Sequence, residues 1–594
     1  MADGRRVVGV LVDFARGAGI RRSVLAVTTT LVAGAAAVSV SLWLKLILDS
    51  VAKGDLTRVT LLAVVLGVAV TLQAAASSLS GYFLAALQFS CGVQVVCGIM
   101  QAGSRPPGIE HYERPDFADR IALLKEHTND VSGFLPALSH GLALTGRVSI
   151  TAVLLAGVHP ALLLLPILAL PSLYAGTRAE RAVDAANVAT AEQGRLEQHL
   201  FRLVTTASPA KEVRIFGLGA EILRRQRQAW DEVTETLAHA QLRAGLMRTA
   251  GWMPFAAGYL AAVALVLVRA ERGEATPGDV LLVMVLAGQV NGQVAELLNV
   301  TNRSAAGVRV VRRYLWLQDY ARDAVARSTP EQRIPVPATL KRGIELRDVS
   351  FRYPGDDREE VLEGVTLSLG AGSTVAIVGE NGAGKTSLVK LLCRFYEPTS
   401  GTITVDGTDL RSFDVADWRS HLSAGFQDFA RFELRLRESV GIGSISGVQD
   451  AGGVREALGR VGAGLGLALE QQLGQQWPGG VDLSEGQWQK VAMARAMMPQ
   501  EPVLLILDEP TSGLDPHAEH ALFELFAGVA VDTARRSGAI ALFVSHRFST
   551  VRMADHIVVL AQGRVVEQGD HVSLMKKRGL YAELYEIQAR AYER

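Results

Sequence analysis

Long apolar stretches fill the first half of the chain and are absent from the second half. Six of them lie at about 24–48, 59–87, 135–158, 161–175, 252–268 and 280–300. A helix rises about 1.5 Å per residue, so about 20 apolar residues cross the hydrocarbon core of a bilayer. The first half is therefore predicted to span a membrane six times, with a kink at Pro166 and Pro171 in the fourth span.

The composition supports a membrane portion and limits the other possibilities. Hydrophobic residues make up 49% and charged residues 20% of the 594-residue chain, whereas about 25% charged residues is usual in soluble domains. The 60 basic and 60 acidic residues balance, so no charge excess favours nucleic acid binding. The spacing of Cys91, Cys97 and Cys393 fits neither a disulfide framework nor a zinc site. The first 20 residues lack the pattern of a cleaved signal peptide, and the arginines of residues 1–22 predict a cytoplasmic N-terminus.

The connections between the spans predict how far the helices extend. Short outer connections alternate with long inner ones, at 49–58, about 88–133, 159–160, about 176–247 and 269–279. The inner stretches are charged but keep a helical periodicity. The spanning helices are therefore expected to continue into the cytoplasm and to turn at two tips, for which Pro115–Arg120 and Thr205–Gly219 are the candidates.

The second half contains a pattern that binds phosphate. Val375–Val378 is predicted to be a buried strand, Gly379–Thr386 spells G-x-x-x-x-G-K-T, and a helix is expected from Ser387. The glycines let backbone N–H groups converge on one point, to which the helix N-terminus adds a partial positive charge. Lys385 is expected to reach the β- and γ-phosphates, and the Thr386 hydroxyl to bind Mg²⁺. The candidate nucleotide-binding residues here are Gly379, Glu380, Asn381, Gly382, Ala383, Gly384, Lys385, Thr386 and Ser387.

These features together predict a multidomain membrane protein. An all-α domain of six spans with long cytoplasmic helix extensions occupies 1–324, and a proline-containing linker follows at 325–343. An α/β P-loop NTPase domain occupies 344–594, where β-branched residues and Gly-rich turns replace the long apolar stretches.

Further along, two strand ends carry side chains suited to ATP hydrolysis. Asp508 and Glu509 end an apolar strand, where Asp508 suits Mg²⁺ through water and Glu509 suits orientation of the attacking water. The turn Pro510–Asp515 follows, which argues against two acids that merely open a helix. His546 ends another apolar strand. A lone histidine at a strand end is usually structural, but its place in the same sheet favours a γ-phosphate contact.

The segment Leu483-Ser-Glu-Gly-Gln487 makes the interpretation specific, because it resembles the L-S-G-G-Q signature of ATP-binding cassette (ABC) transporters. The resemblance to their nucleotide-binding domain covers about 340–590. It implies that Tyr353 stacks on adenine, that Gln427 serves Mg²⁺ and catalysis, and that Asp515 belongs to the D-loop. It also implies that Ser484, Gly486 and Gln487 of a second subunit face the γ-phosphate.

The resemblance implies a dimer of half-transporters that binds ATP and Mg²⁺, because each site needs residues of both subunits. Glu509 and His546 are both present, so a homodimer is the simpler interpretation, and the active half of a heterodimer also fits. Glu485 replaces the first signature glycine. An inward carboxylate would repel phosphate, whereas an outward one, which is favoured, is harmless. The stretch Gln475–Asp482 departs from the acidic motif that many exporters carry before the signature.

The first half resembles the transmembrane domain of ABC exporters, with Tyr112–Arg120 and Lys211–Gly217 similar to the stretches around the coupling helices. The resemblance implies ATP-driven export of an amphiphilic substrate across the cytoplasmic membrane: a peptide, a lipid or a small secondary metabolite. The alternative is an importer of the same fold that takes up a siderophore or vitamin-like compound. A soluble cassette ATPase would lack the spans, and a cassette-gated channel would pass ions without turnover.

Polar residues inside the spans leave the substrate path open. Gln289, Gln293 and Glu296 recur at i, i+4 and i+7 in the sixth span and so share one face. They line a polar cavity or, with equal weight, mark a helix that is leaving the membrane. Arg147 lies in the third span, where a charge is costly. It faces a cavity and an acidic or polar substrate, or it lies nearer the cytoplasmic surface.

Overall fold

The computed structural model of the protein describes residues 2–126, 132–330, 332–354, 360–499, 501–508, 528, 538–545 and 551–592. These form two compact units, Met1–Met100 with Leu123–Trp316 and Gln101–Ala122 with Leu317–Arg594. The packing thus divides the chain differently from the predicted limits of 1–324 and 344–594. Residues 101–122 belong by sequence to the predicted transmembrane domain but pack with the second half, through contacts described below.

Helices account for the part of the chain before the first strand. They are α1 (Ala2–Ala18), α2 (Ile20–Ala52), α3 (Leu56–Ser104), α4 (Glu110–Glu113), α5 (Pro115–Glu126), α6 (Phe134–Val158), α7 (Leu165–Leu168), α8 (Leu170–Ala189), α9 (Ala191–Thr205), α10 (Ala207–Ile215), α11 (Gly219–Glu271) and α12 (Pro277–Ser328). Among the described residues, six helical stretches are long and apolar enough to span a membrane: α2, α3, α6, Pro160–Ala189, α11 and α12. The six predicted spans are confirmed.

The longest helices extend well beyond a bilayer, as the charged periodic stretches predicted. Helices α3, α11 and α12 have 49, 53 and 52 residues. At about 1.5 Å per residue each exceeds twice the hydrocarbon thickness of about 30 Å. Where the spanning helices meet, Leu155, Phe255 and Leu286 belong to one buried apolar cluster. On α3, by contrast, Leu61 and Val64 are exposed, as lipid-facing residues must be.

Prolines decide where the fourth span is interrupted and where the first tip lies. The fourth span consists of a 3₁₀-helix at Pro160–Leu164 followed by α7 and α8, in agreement with the predicted kink. The first tip is not at Pro115–Arg120, because that segment is helical and Pro115 begins α5. A proline suits the first position of a helix, whose N–H has no partner there. The chain turns instead between Ser104 and Glu110, where Pro106 and Pro107 cannot continue α3.

Two helices refine the sequence interpretation. The second tip, predicted at Thr205–Gly219, contains α10, with Pro209 in its first turn. The basic N-terminal residues form α1, which the sequence analysis did not predict. Val7, Phe14 and Ala18 are buried on one face of α1, and the Phe14 ring lies 6.0 Å from that of Tyr314. The recurrence of apolar residues at helical spacing between Val7 and Ala18 could have predicted this helix.

The second unit contains two sheets. Their strands are β1 (Gly343–Phe351), β2 (Leu362–Gly370), β3 (Thr374–Val378), β4 (Ser400–Val405), β5 (Thr408–Asp409), β6 (Leu422–Gly425), β7 (Leu504–Asp508), β8 (Ile540–Val544), β9 (His556–Ala561) and β10 (Arg564–Gly569). The antiparallel sheet has the order β2-β1-β4-β5, and the larger sheet has the order β10-β9-β3-β8-β7-β6. All strands of the larger sheet except β10 pair in parallel.

The parallel strands set the position of the site. Every residue of β3, β7 and β8 is buried, which explains their uninterrupted apolar sequences. The loops that follow parallel strands meet at one edge of the sheet, and ligands bind there in open α/β folds. The phosphate loop follows β3 and Asp508 ends β7, so both lie at this edge.

Helices complete the second unit. They are α13 (Lys385–Leu392), α14 (Val415–Ser420), α15 (Leu436–Gly441), α16 (Ala451–Arg460), α17 (Glu485–Ala496), α18 (His571–Lys577) and α19 (Leu580–Tyr592). Helix α13 and the two sheets share one apolar core, which includes Val349, Ile377 and Leu388. Helices α15 to α17 form a second core around Val454 and Trp488. The predicted α/β architecture is confirmed.

Candidate functional site

The loop from Gly379 to Gly384 connects β3 to α13 and requires glycine at two positions. Gly379 has a φ of 154°, and a Cβ there would lie 2.1 Å from the Leu560 carbonyl oxygen. Gly384 has a φ of 100°, and a Cβ there would lie 2.6 Å from Leu362 Cδ2. Any side chain at either position would clash, so the loop keeps its shape only with these glycines.

Lys385 lies at the head of α13 and folds back across the loop. Its side chain is buried, and its Nζ donates hydrogen bonds to the carbonyl oxygens of Gly379 and Glu380, each at 2.9 Å. The positive end of the α13 dipole lies at the same point. The loop therefore presents an ammonium group and a helix N-terminus together, which is the arrangement that attracts a phosphate. Thr386, the next residue, is exposed.

Tyr353 is hydrogen-bonded to the helix that follows the phosphate loop. Its hydroxyl lies 3.0 Å from Ser387 Oγ on α13. Its ring packs edge to face on Phe351 and Tyr396, with centroids 4.9 and 5.3 Å away. The aromatic residue predicted to contact adenine thus lies beside the phosphate loop and is held there by three neighbours.

Asp508 and Gln427 end neighbouring strands of the larger sheet. Asp508 is buried at the end of β7, and Gln427 is exposed in the turn after β6. Burial raises the pKa of the Cys393 thiol to about 12, and the negative charge of Asp508 acts in the same direction. Strand β7, which ends at Asp508, packs against α13, the helix of the phosphate loop.

The signature segment begins helix α17. The Gln487 N–H donates to Ser484 Oγ at 3.3 Å, and the Ser484 N–H donates to Gln487 Oε1 at 2.9 Å. This reciprocal pair is a capping box, in which both side chains satisfy the helix N-terminus. Gln487, predicted as a nucleotide ligand, is therefore placed in the cap, while Ser484 remains exposed. Gly486 lies one position before Gln487 in the first turn.

Glu485, the departure from the signature pattern, is exposed and forms an ion pair with Arg431. Arg431 lies four residues after Gln427, in the segment that connects β6 to α15. The carboxylate is therefore neutralised by a neighbour in the same chain. An exposed ion pair adds at most about 1 kcal/mol to stability, so its main effect is on the direction of the side chain.

Three predicted site residues lie outside the described residues: Glu509, Asp515 and His546. Strand β7 ends one residue before Glu509, and β8 ends two residues before His546. Their roles remain predictions.

Glu113, which the sequence analysis did not select, contacts the same region. It ends α4 and accepts hydrogen bonds from Lys390 Nζ, at 2.7 Å, and from the Tyr396 hydroxyl. Burial alone would raise the pKa of Glu113, but the bonds to Lys390 and Tyr396 outweigh it, so this pKa is lowered. Burial likewise opposes the positive charge of Lys390, and the bond to Glu113 outweighs it, so the Lys390 pKa is raised.

Lys390, which contacts Glu113, lies beside the predicted nucleotide site. Lys390 lies on α13, and its Nζ is 5.1 Å from the centre of the Tyr353 ring. A second attachment lies nearby, where the Ile109 N–H donates to the Phe395 carbonyl and Arg419 donates to the Pro107 carbonyl. These bonds explain why residues 101–122 pack with the second half of the chain.

Gln289, Gln293 and Glu296 of the sixth span, on α12, each contact a residue of α6. Arg147 donates to Gln289 Oε1 at 3.3 Å, the Gln293 amide donates to Thr151 Oγ1 at 3.3 Å, and His140 Nε2 lies 2.7 Å from Glu296 Oε1. We call these six residues the polar ladder. The sequence predicted the shared face of Gln289, Gln293 and Glu296, but not their partners.

Residues 362–512 match the family model described as ABC transporter. Residues 362–512 thus carry the sequence pattern of the ABC transporter cassette. The chain is 37% identical to the subtilin transport ATP-binding protein SpaT of Bacillus subtilis over 248 residues, which cover 41% of this chain and 39% of the relative. It is 32% identical to an ATP-dependent lipid A-core flippase of Xanthomonas campestris over 391 residues, covering 65% and 63%. The matched part spans about two fifths to two thirds of these relatives.

The fold extends the likeness to the whole chain. The structure of a bacterial Atm1-family ABC exporter with ATP bound matches 96% of this chain and 98% of that one, with a TM-score of 0.72 and 22% identity. The predicted combination of a six-span exporter-type domain with a cassette is thereby confirmed as a fold. The protein is a multi-pass protein of the cytoplasmic membrane, with the cassette on the cytoplasmic side.

Proposed function

We propose that the protein is an ATP-driven exporter of an amphiphilic substrate and works as a dimer of half-transporters. The observation that carries the proposal is the phosphate loop, in which Lys385 lies at the head of α13. The loop belongs to the same compact unit as residues 101–122, which continue from a spanning helix. The names of the relatives, a subtilin transporter and a lipid A-core flippase, support a peptide or a lipid as the class of substrate.

Hydrolysis would use the groups at the edge of the larger sheet. Lys385 exchanges its two carbonyl partners for phosphate oxygens when the nucleotide binds. The Thr386 hydroxyl and the Asp508 carboxylate are the oxygen ligands that Mg²⁺ prefers, so the donor set fits this ion. Mg²⁺, when bound, neutralises charge on the phosphates. Gln427 and Glu509 position the attacking water, and His546 contacts the γ-phosphate.

The dimer would complete each site. The N-terminus of α17 is exposed and capped by Ser484, so it is ready to face the phosphates bound by a second subunit. The tip of the second cytoplasmic hairpin carries Ile215 and Phe216, which are 79% and 66% exposed. Two large apolar residues at a cytoplasmic tip indicate a surface that a partner covers. We favour a homodimer.

Complementation between two inactive variants tests the dimer. Lys385→Ala removes the phosphate loop of its own subunit, and Ser484→Ala removes the signature contact. Each variant alone is expected to be inactive. A mixed dimer has one site with both defects and one intact site, so an isolated mixed dimer should have about half of the wild-type ATPase activity. Random pairing on coexpression makes about half of the dimers mixed, so the unseparated mixture should have about a quarter of it. No recovery in an isolated mixed dimer would contradict sites shared between subunits.

Flux in inside-out membrane vesicles tests the direction of transport. A short-chain fluorescent phospholipid, an amphiphilic peptide and a cationic dye serve as probes. Export predicts ATP-dependent accumulation of at least one probe inside the vesicles, and Lys385→Ala vesicles provide the background. ATP-dependent depletion of a preloaded probe would instead support import. ATP-independent ion current through the reconstituted protein would support a channel.

A further inference from the structure

Arg147 lies near the middle of the third predicted span. It is 11 residues before Val158, the outer end of α6, and therefore about 16 Å along the helix from that end. Gln289 is 12 residues after Pro277, the outer end of α12, or about 18 Å. Half of the hydrocarbon thickness is about 15 Å, so the pair is far from either aqueous surface. The alternative of an interfacial Arg147 is therefore disfavoured.

Within the part of the chain that the structure describes, the guanidinium of Arg147 has no anionic partner. Its one hydrogen bond to a side chain goes to the neutral amide of Gln289, and its Nε is buried without an acceptor. Among the described residues, no carboxylate lies within 4.0 Å of it. Glu296, on the same helix as Gln289, is engaged by His140. A permanently charged group in hydrocarbon is costly unless an anion or water accompanies it.

Two other cations, both near the outer ends of spanning helices, have an acidic partner. Lys45, near the outer end of α2, pairs with Asp279. Arg269, at the outer end of α11, pairs with Glu274. Lys45 and Arg269 thus have an acidic partner in the same chain, whereas Arg147, among the described residues, has none.

There is room for a ligand beside the pair. Gly146 precedes Arg147, and Gly292 lies one turn after Gln289. No atom lies within 4 Å of where a Cβ would be at either glycine. Thr145 and Ser149, on either side of Arg147 in the sequence, are exposed. Open space is thus available beside both helices near the pair.

We propose that Arg147 and Gln289 bind the anionic group of the transported amphiphile, a carboxylate or a phosphate. The planar guanidinium donates two parallel hydrogen bonds to such groups. Gln289 accepts from Arg147 through Oε1, so its amide nitrogen carries the donors that a further anion oxygen accepts. The proposal rests on the proposed export function and narrows its substrate class to anionic amphiphiles.

Binding and ATPase stimulation by amphiphiles that share one dodecyl chain test the proposal. The full-length protein is placed in phosphatidylcholine nanodiscs, and dodecanoate, dodecyl phosphate, dodecanol and dodecyltrimethylammonium are titrated. The wild type should bind the two anions about tenfold more tightly than dodecanol, the gain expected for a charge-assisted hydrogen bond. The preferred anion then distinguishes a carboxylate from a phosphate substrate.

Variants assign the preference to the site. Arg147→Gln should abolish the preference for anions, Arg147→Lys should retain most of it, and Arg147→Glu should favour the cation. Arg178→Gln is the matched control, because Arg178 is an exposed arginine that also donates to a neutral side chain, the Tyr174 hydroxyl. It should behave as the wild type. Equal binding of anions and dodecanol by the wild type, or an unchanged preference in Arg147→Gln, would overturn the proposal.

The two readouts separate this inference from the proposed function. Binding, measured as the thermal shift caused by each amphiphile, does not require hydrolysis. A charge preference in binding without any ATPase activity supports the anion site and contradicts ATP-driven export. ATPase activity and flux without a charge preference contradict the anion site and leave export standing.

Discussion

Two cations, the buried Lys385 in the cassette and the half-buried Arg147 in the spans, show how differently the two halves of this protein carry function. Lys385 donates to two carbonyl oxygens only five and six residues before it, so its surroundings are built from one short segment. Arg147 meets Gln289 across 142 residues of sequence. The first site is a local motif, which many ATPases share, and the second exists only through packing of two helices.

The two sites differ in how widely their residues are shared among ATPases. The phosphate loop must bind the same ligand in every such ATPase, so its geometry follows from glycines at fixed spacing. The polar ladder has no such pattern, because any residue on a facing helix can provide a partner. Glu113 combines a local and a long-range relation: it follows a spanning helix in the sequence, and it contacts Lys390 beside the phosphate loop.

Lys385→Ala is expected to have the largest effect among the variants that compare the two sites. Without the ammonium group, nucleotide binding and ATPase activity should fall at least about 100-fold, with and without amphiphile. Arg147→Gln, in contrast, should alter only the dependence on the amphiphile headgroup. Activity and the binding of a fluorescent ATP analogue are the measurements. Lys341→Ala, at an exposed lysine of the same unit, is the control. Normal ATP binding by Lys385→Ala would remove Lys385 from its role.

Glu509→Gln should separate nucleotide binding from hydrolysis. Loss of a general base typically lowers turnover by about 10²- to 10⁴-fold, while ATP binding is kept. The closed dimer should then accumulate, as measured by size-exclusion chromatography of the variant with ATP and Mg²⁺. Turnover at the wild-type rate would show that another group orients the water.

Glu113→Gln should weaken the connection between the two regions. The variant removes the charge that holds Lys390, so ATPase stimulation by a transported amphiphile should fall about three- to tenfold. Basal hydrolysis should change less, since Lys385 and Asp508 are untouched. Arg114→Gln, at the neighbouring residue, which pairs with Glu110 and Asp116 instead of Lys390, is the matched control. An equal loss of basal and stimulated activity would indicate a structural role instead.

The pH dependence of stimulation follows from the same pair. The pKa of Glu113 is lowered, so the stabilisation from its charge is present above the usual carboxyl range and is lost as pH falls through the lowered value. The raised pKa of Lys390 likewise keeps this side chain charged until pH rises above its usual range. The stimulation of the wild type should therefore be constant between about pH 6 and 8.

Glu485→Gly should have the smallest effect. The carboxylate is exposed and paired with Arg431, so its removal should change ATPase activity less than about twofold. Arg431→Ala leaves the Glu485 carboxylate without its partner. If the ATPase activity of Arg431→Ala is lower than that of Glu485→Gly, the charge of Glu485 affects the bound phosphates. A large gain of activity in Glu485→Gly would mean that the side chain obstructs the site.

Much of the fold was predictable because it depends on local patterns. Apolar runs of about 20 residues gave the spans, and an apolar run before a glycine-rich loop located β3 and the head of α13. The tip at Pro115–Arg120 was placed wrongly, because a proline that begins a helix and a proline that breaks one look alike in sequence. The capping role of Gln487 was missed, although Ser484 and Gln487 have the spacing of a capping box.

The sequence by itself determined the spans, the phosphate loop and the order of the cassette motifs, since each is encoded within a few dozen neighbouring residues. The tertiary structure alone decided that Glu113 bonds to Lys390, 277 residues away, and that Arg147 has an amide rather than a carboxylate as its partner. Such pairs depend on the register of helices far apart in the chain. No local periodicity records that register, so partners and the polarity of the substrate path emerge only from packing.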